Sequence, residues 1–147
     1  MNGKGPLVVF FGLVILVLVG VVILSRVNEG EKETEVKAGM AFMHGKISSA
    51  SPSQSFKAAL GSDELGRHSG TFRVGADYEA FRVAQQLWHE VRTAPQGDAS
   101  RAQIEAFYTE AQDQLKQDLL SNQVTAAALG DMVGESNLWD KLNRDPQ

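Results

Sequence analysis

Apolar residues fall into three regimes along the chain. From 7 to 24 they are continuous, 18 residues with no charge, no polar side chain and no proline. At about 1.5 Å per residue this makes roughly 27 Å of helix, close to the ~30 Å hydrocarbon core of a bilayer. A helix that is apolar all round needs apolar surroundings on every side. The pattern therefore predicts a transmembrane helix over 7–26, behind a short tail at 1–6, with Leu7, Phe10, Phe11, Leu18, Leu24 and Arg26 as anchor residues. A cleaved secretory signal is the main alternative. Its apolar stretch runs about 7–15 residues and closes on small residues, whereas Ser25-Arg26-Val27-Asn28 follows here.

From 27 to 76 no period is sustained. Residues 28–37 read as a charged, solvated spacer, and Gly30 weakens any helical continuation of the anchor. The 38–76 segment holds six glycines and seven serines. Its 48–55 portion reads as linker, because such a composition buries too little area to offset chain entropy. Residues 56–60 suit one or two helical turns, and 71–74 alternate too briefly for a strand. The segment is expected to be poorly specified by itself and to order against a partner.

From Asp77 a period of three to four sets in. Phe81, Ala84, Leu87, Trp88 and Val91 share a stripe, which predicts a helix over 77–93 with Asp77 as N-cap. Pro95 and Gly97 break it. Ser100 and Gln103 then suit a capping box, followed by Ile104, Phe107, Tyr108, Ala111, Leu115 and Leu119 in a second helix over 100–121. The short break between them predicts an antiparallel hairpin with facing stripes. A third helix is expected over 124–133, ended by Gly134, and a last turn over 137–143 capped by Asn137. The fold class is thus mostly α: one N-terminal transmembrane helix, a flexible spacer at 27–76, and a small C-terminal helical hairpin or bundle at 77–147.

Charge and chemistry narrow the functional classes. All 18 acidic residues but only 12 of the 14 basic ones lie beyond residue 26, a net charge of −6. Such a body suits neither nucleic-acid backbones nor an anionic lipid surface, so no nucleic-acid partner is expected. With no cysteine there is no disulfide, thiolate metal site or cysteine nucleophile. His89-Glu90 opens like a zinc-protease helix, but Thr93 stands where the second histidine is needed. Neither a metal nor a cofactor is expected, and no small-molecule substrate.

Two C-terminal features carry candidate chemistry. Gly134-Glu135-Ser136 resembles the catalytic Glu-Ser of lytic transglycosylases, which implies Glu135 as general acid towards a sugar bond. The resemblance covers three residues. The glycine-rich, aromatic stretch that follows the pair in that fold is not found in the 11 residues after Ser136. Trp139, with Leu138 and Leu142, forms an apolar turn that either closes the bundle or docks on another protein, since tryptophan is favoured at binding hot spots.

The leading expectation is a non-catalytic, single-pass membrane accessory subunit or adaptor of a larger assembly. It would touch the lipid bilayer through 7–26 and other subunits through the helical domain and the 38–76 segment. Its body is expected on the exported side, as for an uncleaved signal anchor with a short leading tail, although Arg26, Lys32 and Lys37 weigh towards the cytoplasm. The alternatives are an anchored cell-envelope hydrolase or lysis factor using Glu135, and a tethered inhibitor or chaperone of an exported partner.

Overall fold

Val36, Gly39, Met40, Met43 and Ile47 share one helical face at i, i+3, i+4, i+7 and i+11, and all five are buried or half-buried. In a computed structural model of the chain, which describes residues 30–93 and 99–144, they form the inner face of a helix, α1, over 30–46 and just beyond. The chain divides into two compact units, Met1–Glu33 and Thr34–Gln147. Of the first, only 30–33 fall among the described residues. The anchor residues Leu7, Phe10, Phe11, Leu18, Leu24 and Arg26 lie outside them. No helix among the described residues is long and apolar enough to cross a membrane.

The second unit is helical throughout its regular structure, with no strand among the described residues. After α1 come α2 (Pro52–Leu60), α3 (Asp63–Gly66), α4 (Gly70–Val91), α5 (Ala99–Ser121), α6 (Ala126–Val133) and α7 (Leu138–Leu142). The 27–76 stretch, read from sequence as spacer and loosely specified segment, is therefore mostly helix where it is described. Of its helices α2 and α3 are short and individually marginal, but the helix starts here are well formed. Pro52 occupies the first turn of α2, and Ser62 and Ser69 cap α3 and α4 by accepting the Leu65 and Phe72 amides. Each contributes a buried anchor to the common core, Phe56 from α2 and Leu65 from α3. Phe56 meets Phe107 of α5 at 5.8 Å between ring centroids. Tertiary packing supplies what local pattern does not.

α4 is the central helix. It starts at Gly70, so Asp77, expected as its N-cap, lies two turns inside it. Eight consecutive residues, 74–81, are buried, which happens only when a helix is covered on every side. α5 packs antiparallel along it, as the Phe81–Tyr108 edge contact at 5.5 Å and the Arg101–Trp88 contact at 5.6 Å show. The α5 stripe expected from sequence, Ile104 through Leu119, is buried. Ser100, expected to cap this helix, sits inside it, because α5 already runs at Ala99.

On another side α1 runs in the same direction as α4. Ser69 donates to Glu35 at 2.8 Å, and His44 pairs with Glu79 at 3.0 Å further along both helices. Between these points the backbones touch at glycines. A Cβ on Gly39 would lie 2.0 Å from the Phe72 carbonyl oxygen, and one on Gly75 would lie 2.1 Å from that of Val36. The third side of α4 meets the α6–α7 connection, where the Tyr78 hydroxyl donates to Glu135.

Two carboxylates of α4 are buried, and they differ. Glu79 is held by Arg82 at 2.6 and 3.0 Å and by His44. That pairing in turn raises the Arg82 pKa. Asp77 accepts a hydrogen bond at neither oxygen from a fixed donor among the described residues, and the carboxyl group beside it is that of Asp118. Burial pushes its carboxyl pKa well above the usual range, and the neighbouring Asp118 of α5 adds to this while Arg73 opposes it.

The C-terminal helices close the unit. Thr125 caps α6 by accepting the Ala128 amide at 3.0 Å. Gly134 ends it in the left-handed region, φ 72°, where glycine has no steric penalty. Asn137 stands at the start of α7 with φ 59° and makes no side-chain cap hydrogen bond. Instead α7 is fastened at its other end. Buried Gln112 of α5 donates its amide to the Lys141 and Arg144 carbonyls at 3.2 and 2.7 Å.

Candidate docking groove

Leu119 and Leu120 are adjacent at the end of α5, and only one of them can face the core. Successive helical residues turn by about 100°; Leu119 is buried in the stripe and Leu120 is left 81 % exposed. The same geometry separates the residues of α7. Leu138 and Leu142, four apart, both point inward at 2 % and 0 % exposure, whereas Trp139 is 61 % exposed. The trio expected to form one docking surface thus divides, two leucines serving the core and the tryptophan standing outside it.

Leu120 and Trp139 wall one groove. Between them lie the end of α5, the connection through Gln123 and Val124, and the first turn of α6 at Ala126 and Ala127. The cavity measures about 660 Å³. Gln123 makes the turn with φ 54°, and the Val124 amide closes it onto the Leu119 carbonyl at 3.0 Å. Lys116 is the only charged residue of the lining among the described residues. Gln123 and Thr125 are its neutral polar residues and the rest of the lining is apolar, so the groove can desolvate hydrophobic side chains. Among the described residues its lining holds no acid and no histidine. Trp139 could be singled out from sequence by its type, and Leu120 by the Leu-Leu adjacency; Lys116 and Gln123 had no such signal.

Glu135 lies elsewhere, in the α6–α7 connection. It accepts the Tyr78 hydroxyl and pairs with Lys141 at 2.6 Å, with its side chain 16 % exposed. Burial, with Glu135 second, pushes the Tyr78 hydroxyl pKa well above its ordinary value, so Tyr78 is the neutral donor in this contact. These contacts tie three elements together and leave Glu135 little freedom to approach a glycosidic oxygen. The histidines serve separate contacts or none: His44 pairs with Glu79, His68 stacks on Phe72 at 3.7 Å, and His89 is exposed on α4. No group of three or more His, Asp or Glu suited to a metal ion occurs among the described residues.

The chain matches no protein-family profile, no curated protein and no solved structure.

Proposed function

We propose that the protein is a non-catalytic accessory subunit or adaptor, anchored in a membrane by residues 7–26 with its helical body on the exported side, and that it holds another subunit of its assembly through the Leu120–Trp139 groove. The anchor rests on the unbroken apolar run. The observation that carries the adaptor reading is the pairing of two large exposed hydrophobic residues across an apolar groove. Exposed tryptophan in such a setting suits a binding hot spot, where a few aromatic anchors dominate the energy. The hydrolase reading asks Glu135 to act as an acid while it is bound by Tyr78 and Lys141, so the adaptor reading is the better supported.

The test is co-purification after gentle detergent extraction of the full chain. Trp139→Ala and Leu120→Glu should each reduce the recovered partners while leaving the far-ultraviolet circular dichroism unchanged. Partner recovery equal to wild type in both variants would remove the groove from the account. Extraction of the wild-type chain by alkaline carbonate would remove the anchor. A tethered chaperone or inhibitor would use the same groove, but its partner would leave once mature, which a pulse-chase of the co-purified proteins distinguishes.

A further inference from the structure

A second concavity, of about 340 Å³, lies where the end of α4 meets the end of α7, and its chemistry is opposite to that of the docking groove. Its lining includes Trp88, His89, Arg92, Tyr108, Lys141 and Arg144. No acidic residue lines it among the described residues. Lys141 has an ion-pair partner, Glu135; Arg92 and Arg144 have none among the described residues. Cations gather at helix C-termini to meet the dipole, and that accounts for some of this clustering. It does not account for all of it, because the terminal carbonyls of α7 are already occupied by Gln112. On a body of net charge −6, two guanidinium groups and the Lys141 ammonium line one pocket, and among the described residues only Lys141 has an acidic partner.

The neutral groups fit the same ligand. Burial raises the Tyr108 pKa, with the Gln85 amide, Arg144 and Lys141 opposing the rise in that order, so its hydroxyl stays protonated as a donor beside the cations. Trp88 supplies an apolar wall for an organic part. Several cationic and neutral donors around one point suit a tetrahedral dianion better than a carboxylate with two oxygens, and arginine forks are suited to phosphate oxygens. We infer that this pocket binds a phosphomonoester, with Arg92 and Arg144 as the principal contacts and Tyr108 as a neutral donor. The ester is either a soluble metabolite or the head group of a lipid.

Both sources can be read from Trp88. The chain has two tryptophans, so a full-length Trp139→Phe protein reports on Trp88 alone. In neutral detergent micelles, glycerol 3-phosphate at constant ionic strength should change its emission saturably, where chloride does not. In nanodiscs of phosphatidylcholine, including phosphatidate should give the same change if the source is lipid. Arg92→Gln and Arg144→Gln are exposed substitutions, and each should weaken the response about tenfold. A saturable, arginine-dependent response to either probe supports the site and identifies the source. No saturable response to either, or one that both arginine variants leave intact, overturns it.

Discussion

Gly75 of α4 lies directly against the backbone of Val36 in α1, so close that a methyl group there would sit 2.1 Å from the Val36 carbonyl oxygen. Gly39 repeats the relationship from the other helix, against Phe72. The two glycines let α1 and α4 meet backbone to backbone. Alanine at an interior helical position ordinarily gains about 1 kcal/mol over glycine. Here that gain meets a clash with backbone that cannot rotate away, costing about 1–3 kcal/mol by the scale of overpacked cores. Gly75→Ala and Gly39→Ala should therefore each lower the thermal midpoint. Their combination should cost less than the sum, since the first substitution already parts the helices. A raised midpoint for either would show that the approach is looser than described.

Asp77 should make stability fall as pH rises. Its pKa is raised in the folded state, so between the unfolded value of about 3.9 and the raised folded value the native form keeps a proton that the unfolded form has released. Below that window both states are protonated and the residue contributes no slope. Within it, stability declines with increasing pH. The charged groups bearing on it are Arg73 on its own helix and Asp118 from α5. Asp77→Asn keeps the shape, removes the titration and offers an amide to Asp118. We expect it to flatten this part of the pH–stability profile and to make the protein more stable than wild type at neutral pH. A variant less stable than wild type at pH 7, with the slope retained, would refute this.

Leu142 and Trp139 are three residues apart and should behave oppositely. Leu142 is wholly buried, and Leu142→Ala should cost about 2–5 kcal/mol in chemical denaturation. Trp139→Ala, on the outer face, should change stability by about 0.5 kcal/mol and act on partner recovery instead. Equal stability losses would place Trp139 in the core.

Glu135→Gln separates a structural from a catalytic carboxylate. It removes the Lys141 ion pair and weakens the Tyr78 contact, a loss of about 1 kcal/mol for a partly exposed pair. Neither the wild-type protein nor the variant should release soluble fragments from purified peptidoglycan. Release that depends on Glu135 would instead establish the hydrolase reading.

Legibility from sequence followed the number of faces an element buries. α5 has one buried face, so Ile104 to Leu119 stand out against Glu, Gln and Lys. α4 is buried over 74–81 without a break, and Asp77 and Glu79 are inside with the rest. A helix segment with no solvent face shows no amphipathic contrast, and the first turns of α4 add only Gly70, Gly75 and a brief alternation over 71–74, so the helix was legible only from Asp77. In α1 the stripe from Val36 to Ile47 is regular, but the charge run before it draws the eye to solvent. At the groove, Trp139 announced itself by type. Leu138 and Leu142 look equally apolar in sequence, and only the rotation of a helix that needs its place in the bundle tells them apart. The basic pocket had no local signature, because His89 and Arg92 lie some fifty residues from Lys141 and Arg144.

The amide of Gln112 has a consequence at a distance. It grips the last turn of α7 from the interior of α5, so the orientation of the indole at 139 is inherited from a side chain that no partner can touch. Gln112→Leu should leave α5 helical yet broaden the motion of Trp139, measurable by time-resolved fluorescence anisotropy in a protein whose other tryptophan, Trp88, is replaced by phenylalanine. Natural selection acting on Gln112 would thus retune recognition without altering a single atom of the recognition surface.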